Sequence, residues 1–194
     1  MTSKTPYIGP LSPEYALLGL LSQKTAHGYE LHQRLRIELG QVWHISQSQT
    51  YNILNRLEAQ GFITGMLQEQ DKLPPRRQFT MTESGRQRFD TWLNSPSGCS
   101  VRAIRVEFIT RLYFTSAINP ELAGQIIDIQ EAEIRDGLGR LQNKLETTNE
   151  GIFNRLGLEL RIRQLESIIT WLDECRLVIE PSSSKKWVPT PSQM

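Results

Sequence analysis

Seventeen residues, Ile45 to Gly61 (ISQSQTYNILNRLEAQG), constrain the fold of this chain more than any other stretch. On a helical wheel Thr50, Ile53, Leu54 and Leu57 share one arc of roughly a third of the circumference, and Ser48, Gln49, Asn52, Asn55 and Arg56 lie opposite. One side must be buried by other elements and the other must stay open. Ser46 followed by Gln49 fits a capping box, so the helix starts where the polar residues cluster, and Gly61 supplies its stop. The open side carries amides, hydroxyls and one arginine in place of the usual Lys and Glu. Those are the groups that read base edges in a DNA groove, although a solvated helix rich in Gln and Asn has the same composition.

The flanking segments supply what the apolar arc needs. Ser12-Pro13-Glu14 reads as a helix opening with Ser as cap, Pro at the first helical position and an acid in the first turn, leading to a helix from Tyr15 to about Gln23. Its ALLGLL run is apolar nearly all round, which places it at a core centre. Thr25 to Gly28 reads as a short turn. A second helix, from about Tyr29, carries Leu31, Leu35 and Leu39 at intervals of four and ends at Gly40. After Gly61, FITGMLQEQ reads as a strand with Ile63 and Leu67 on one face, and QFTMT as a second with Phe79 and Met81 on one face. The polar, Pro-containing tip between them makes a β-hairpin. Glu83 to Leu93 then reads as a fourth helix, with Phe89, Trp92 and Leu93 closing the core. Three helices, a hairpin and a closing helix form a winged helix-turn-helix.

Asn94 to Gly98 is a cluster of turn formers and the best domain boundary. A helix follows from about Val101 to Ser116. Asn119-Pro120-Glu121 opens a long one to about Thr147, with Ile127, Ile134, Leu138, Leu141 and Leu145 at spacings compatible with a coiled-coil seam. A last helix, about Ile152 to Ile179, carries Leu158, Ile162, Leu165, Ile169 and Leu172. Such stripes call for long partners, which an antiparallel pair swapped with its copy in a homodimer would provide; those five residues are the expected dimer interface. The expected organisation is mainly α: a flexible start at 1–10, a winged-helix domain at 11–95, a long-helix dimerisation domain at 99–180 and a disordered tail at 181–194.

Composition narrows the function classes. With 194 residues, 38% hydrophobic and 22% charged, the chain supports one large or two small folded domains. No apolar run approaches the ~20 residues of a membrane span, and MTSKTPYIGP lacks the core of a signal peptide, so a cytoplasmic protein is expected. Cys99 and Cys175 are too few for a disulfide framework and read as reduced thiols, with a redox pair the alternative. Lys and Arg number 10 against 8 acids in residues 1–98 and 12 against 13 in 99–194, too weak a tilt to name a partner. His27 and His32 are five apart and join no acidic or thiol cluster, so no metal or other cofactor is expected. No phosphate-binding loop or nucleophile elbow appears, and no enzymatic activity is expected.

The candidate site is therefore a DNA surface. Gln47, Ser48, Gln49 and Asn52, at the helix start, would reach base edges in the major groove of double-stranded DNA. Tyr51 would contact a phosphate through its hydroxyl or serve packing alone, and Arg56 sits further along, suited to phosphate. Lys72, Arg76 and Arg77 cluster at the hairpin tip, either as a wet charged loop or as a backbone contact or minor-groove insertion that positions the protein without reading sequence. A winged helix used to bind another protein, without reading DNA sequence, is the competing reading.

At this point the chain resembles a known family. LLGLLSQKTAHGYELHQRL, TYNILNRLEAQGFI and PPRRQFTMTESGRQRFDTWL look like the DNA-binding domain of PadR-type transcriptional regulators, over about Tyr15 to Leu93. HGYEL, the spacing of Tyr51, Leu54, Leu57 and Glu58, and the Thr82-Glu-Ser-Gly-Arg86 turn are its most specific parts. The turn reading Gln47-Ser48-Gln49-Thr50-Tyr51-Asn52 departs from the Pro-Gly-Ser-Leu-Tyr-Pro type common in the family, so no operator sequence carries over. The remainder, with Arg105 to Phe108, is similar to the longer branch bearing a virulence-activator type C-terminal domain. The resemblance implies a homodimer joined through antiparallel C-terminal helices that represses or activates transcription from an inverted-repeat operator. Some relatives respond to small aromatic compounds, and the sequence identifies no such effector here.

Overall fold

Helix α1 (Glu14–Gln23) begins a computed structural model that describes residues 12–68, 76–147 and 151–179. The expectations for residues 1–10, for Lys72 and for the tail at 181–194 lie outside the described residues. The α1 cap falls on Pro13, one position later than expected, while Ser12 Oγ accepts the Glu14 N–H at 3.4 Å. Glu14 through Leu21 are all buried, as an apolar run at a core centre requires. Strand β1 (Ala26–His27), α2 (Gly28–Leu39), α3 (Gln47–Ala59), β2 (Ile63–Gln68), β3 (Arg76–Met81) and α4 (Glu83–Leu93) follow. Leu31, Leu35 and Leu39 of α2 and Thr50, Ile53, Leu54 and Leu57 of α3 turn inward, so the two apolar arcs read from the sequence face the core.

The sheet is antiparallel in the order β1-β3-β2, with Ile63 opposite Met81, Gly65 opposite Phe79 and Leu67 opposite Arg77. The segment expected as a turn at Thr25–Gly28 contributes β1, pairing Ala26 with Phe79. It satisfies the free edge of β3, and two residues are too short to show a period in the sequence. Leu67, expected on the same strand face as Ile63, keeps that alternation in β2 but is 73% exposed. Among the described residues of the hairpin strands, only Ile63 and Phe79 are buried.

The Thr-Glu-Ser-Gly turn docks α4. Thr82 Oγ1 accepts the Gly85 N–H (3.1 Å) as helix cap, and the Thr82 and Ser84 hydroxyls both donate to the Gly61 carbonyl, at 2.7 and 2.9 Å. Gly61 adopts φ +75°, a left-handed conformation that aims this carbonyl at α4 and that an L side chain would strain.

Beyond the turn at 94–98, α5 (Val101–Ala103), a π-helical turn (Ile104–Phe108) and α6 (Ile109–Ile118) form one run. The Ile109 N–H reaches the Ile104 carbonyl, five residues back. The first compact unit extends to Phe114, past the linker read from the sequence. The turn formers end α4, but the next helix returns to the same core. Trp43 Nε1 donates to Thr110 Oγ1 (2.8 Å), the Tyr113 hydroxyl donates to Glu38, and Phe114 is fully buried.

The second unit begins at Thr115 and holds α7 (Pro120–Thr147) and α8 (Ile152–Ile179), packed as an antiparallel pair. Ile127 and Ile134 of α7 and Leu158, Ile162, Leu165 and Leu172 of α8 are buried. Four of the five residues expected at a dimer interface are thus covered within one chain, and Ile169 is half-buried. A stripe compatible with a coiled-coil seam does not specify whether its partner is a neighbouring helix of the same chain or a second copy, and here α7 packs against it. Arg176 ties the pair, reaching Asp128 (2.8 Å), Glu131 and, on its own helix, Asp173 (2.6 Å). Its guanidinium, with that of Arg135, holds the Glu131 carboxyl below the ordinary range. No helix among the described residues is long and apolar enough to cross a membrane.

Candidate nucleic-acid interface

The open side of α3 starts at a closed capping box. Ser46 Oγ accepts the Gln49 N–H at 3.2 Å and Gln49 Oε1 accepts the Ser46 N–H at 2.8 Å. Of the four expected base readers, Gln47, Ser48 and Asn52 are exposed, with no side-chain bond to another described residue. Gln49 is exposed too, but its carbonyl oxygen is committed to the cap, leaving its NH2 to donate outward. Behind the turn, the Thr50 hydroxyl donates to the Ser46 carbonyl (3.1 Å) and accepts from His32 Nδ1 (3.0 Å), which fixes the helix start against α2.

Two arginines assigned to the DNA backbone have protein partners. Arg56 pairs with Glu14, a carboxylate only 1% exposed. Burial pushes Glu14 above the ordinary carboxylate range and Arg56 pulls it back, so this arginine secures α3 to α1. Arg77 pairs with Glu58 (2.7 Å), which also accepts the Gly65 N–H (2.8 Å). Glu58 thereby pins both hairpin strands to α3, and Arg77 lies 5.5 Å from the Phe79 ring centre. Arg76 is exposed and forms no ion pair with a described residue. The third cation expected at the hairpin, Lys72, lies outside the described residues.

The HGYEL segment joins these parts. His27 Nδ1 donates to the Arg77 carbonyl (3.2 Å), and the Glu30 carboxylate accepts the His27 N–H (3.0 Å) as a cap for α2. Leu31 enters the core. At Gly28 the Tyr51 ring comes so close that a Cβ would lie 2.6 Å from it. Tyr51 is therefore half-buried against α2, and its ring serves packing whatever its hydroxyl meets. One open cleft, of about 780 Å3, is lined by residues of α2, α3 and β3 together. Sequence reading missed Glu58 and Glu14 as the acids that hold α3 in place. Glu58 was visible as part of the helix motif, but its two partners come from strands whose register no local pattern encodes.

Comparison with known proteins gives a consistent result. Residues 17–91 match the transcriptional regulator PadR-like family, and residues 104–180 match the virulence activator alpha C-terminal region. The chain is 26% identical over 177 residues to the negative transcriptional regulator PadR of Bacillus subtilis (strain 168), spanning 86% of this chain and 97% of that protein. Among solved structures it resembles B. subtilis PadR in complex with operator DNA, at 28% identity and a TM-score of 0.42, over 86% of this chain and 98% of that one. B. subtilis PadR in complex with p-coumaric acid is 26% identical, with a TM-score of 0.39, over 94% and 100% of the two chains.

Proposed function

Because this chain belongs to the PadR-like family of transcriptional regulators, with a virulence activator alpha C-terminal region behind its PadR-like domain, we propose that it binds operator DNA sequence-specifically as a homodimer. The observation that carries this reading is the first two turns of α3, where Gln47, Ser48 and Asn52 stand exposed on a helix whose other side is fixed in the core. Amide and hydroxyl groups at a helix start suit base edges in the major groove, and Asn or Gln suits adenine. Gln49 contributes its NH2, and Arg76 at the hairpin serves the phosphate backbone.

A two-fold pair of such domains reads an inverted repeat, with half-sites one or two helical turns apart. For the homodimer, the support is the outer side of α8. Phe153 is 84% exposed, and Leu156 and Leu160 follow it at helical spacing, both exposed and turned away from the stripe that α7 covers. Leu156→Asp with Leu160→Asp is expected to give monomers by sedimentation velocity. A dimer that survives this pair of changes would place the interface elsewhere.

The DNA reading is tested by selecting genomic fragments on the wild-type chain and measuring affinity for the best fragment and for a scrambled duplex across salt concentrations. A preference for the selected fragment is expected. Asn52→Ala or Gln47→Ala should cost roughly 1–3 kcal/mol on that fragment and much less on the scrambled duplex. Arg76→Gln should weaken both alike and flatten the salt slope by about one. Equal affinity of the wild type for both duplexes at every salt concentration would overturn the proposal.

A further inference from the structure

The 780 Å3 cleft is lined by Tyr29 and Gln33 of α2, Tyr51 of α3, and Arg76 and Arg77 of β3. It is the place where the recognition helix, the hairpin and the start of α2 meet, and its groups are mostly donors. Tyr29 is 51% exposed, and its hydroxyl accepts from Gln33 Nε2, which leaves the phenolic proton free to donate. The Tyr51 ring is braced on Gly28, so its hydroxyl is held at a fixed place. Arg76 brings a positive charge without a described partner. Glu30 also lines the cleft, but its carboxylate is turned back onto the His27 N–H. The first-turn N–H groups of α2, which have no acceptor inside the helix, add their partial positive charge.

Hydroxyl, amide and guanidinium donors around an open cleft fit a phosphodiester, and the volume accommodates a run of backbone where a single small anion would be loose. We infer that this cleft seats the DNA backbone between the groove entered by α3 and the hairpin, with Tyr29 and Gln33 as DNA-positioning residues. The inference rests on the operator-binding reading above and deepens it: register on the duplex is set by α2 as well as by α3. Tyr29 and Gln33 are uncharged, so their contribution is directional hydrogen bonding and releases no counterions.

Tyr29→Phe and Gln33→Ala are each compared with wild type on the selected genomic fragment and on the scrambled duplex of equal length. Each is expected to weaken both DNAs by the same factor, roughly tenfold for a lost bond to a charged group. The salt slope should match wild type, in contrast to Arg76→Gln, and melting temperatures should be unchanged. The sharper readout is a scan of single methylphosphonate linkages along the selected fragment. At the phosphate seated in the cleft, the neutral linkage should weaken wild type and leave Tyr29→Phe no weaker than it already is. Additive losses at every phosphate, or wild-type binding by both variants to a fragment that wild type prefers, would overturn the inference. If wild type prefers no fragment, the operator reading fails, and the same scan on the scrambled duplex still decides whether the cleft holds phosphate.

Discussion

Replacing Arg111 by Ala is expected to destabilise the fold by about 3–5 kcal/mol, the usual cost of stranding a buried charge. Arg111 and Glu107 are 2% and 1% exposed and pair across the π-helical turn. The guanidinium also lies 4.8 Å from the Trp92 ring centre, and Tyr15 stacks on Trp92 at 4.6 Å. Removing Arg111 leaves the Glu107 carboxylate buried, with the Trp92 side chain the remaining group that favours its charged form. Burial already holds Glu107 above its ordinary value of 4.5, with Arg111 pulling against it. A group raised in this way contributes its stability in full below its unfolded value and loses it as pH rises through the folded one. The opposing pull is absent in Arg111→Ala, so the deficit relative to wild type should be smallest near pH 4.5 and grow toward neutrality. Denaturant titrations at a series of pH values measure this directly. Glu107→Leu with Arg111→Met, which removes both charges and keeps the volume, should recover most of the loss. A pH-independent deficit would show that packing, and not the stranded charge, is responsible.

Phe114→Ala should cost about 3–5 kcal/mol through the cavity it leaves. The ring is fully buried, meets Phe89 edge-on at 5.5 Å, and fills the space over Gly19. A Cβ on Gly19 would lie 2.3 Å from that ring, so Gly19→Ala alone is an overpacking change that should cost about 1–3 kcal/mol. Once Phe114 is Ala the space is vacant, and Gly19→Ala should then be nearly neutral. The double-mutant cycle therefore has a definite sign: the pair is less damaging than the sum of the two single changes. Additive losses would mean that α6 shifts to follow the smaller side chain.

The helices of this protein were legible because each carries its own period and punctuation. The apolar arc of α3, the Ser46–Gln49 cap and the bounds of α4, α7 and α8 are all local facts about spacing. The hairpin was legible from alternation, yet the exposure of Leu67 was not, because alternation gives a residue's face and not what packs over it. Strand β1 was invisible at two residues, and the π-helical turn left no mark because one extra residue in a helical turn barely alters the apolar pattern. The base-reading candidates were visible as an unusual helix face. The roles of Arg56 and Arg77 were not, since exposed and paired arginines look alike until Glu14 and Glu58 are brought beside them.

By itself, then, the sequence determined which segments are helices, which side of each is apolar, and that a polar helix start precedes a basic hairpin. Those properties repeat every two to four residues and belong to the local chain. Only the tertiary structure decided the partners: which arginine meets a buried acid, which helix covers the α8 stripe, and that α6 returns to the core of the first unit. Pairing across 42 residues, from Glu14 to Arg56, or from Gly19 to Phe114, depends on burial and close approach in space, and no local pattern carries that information.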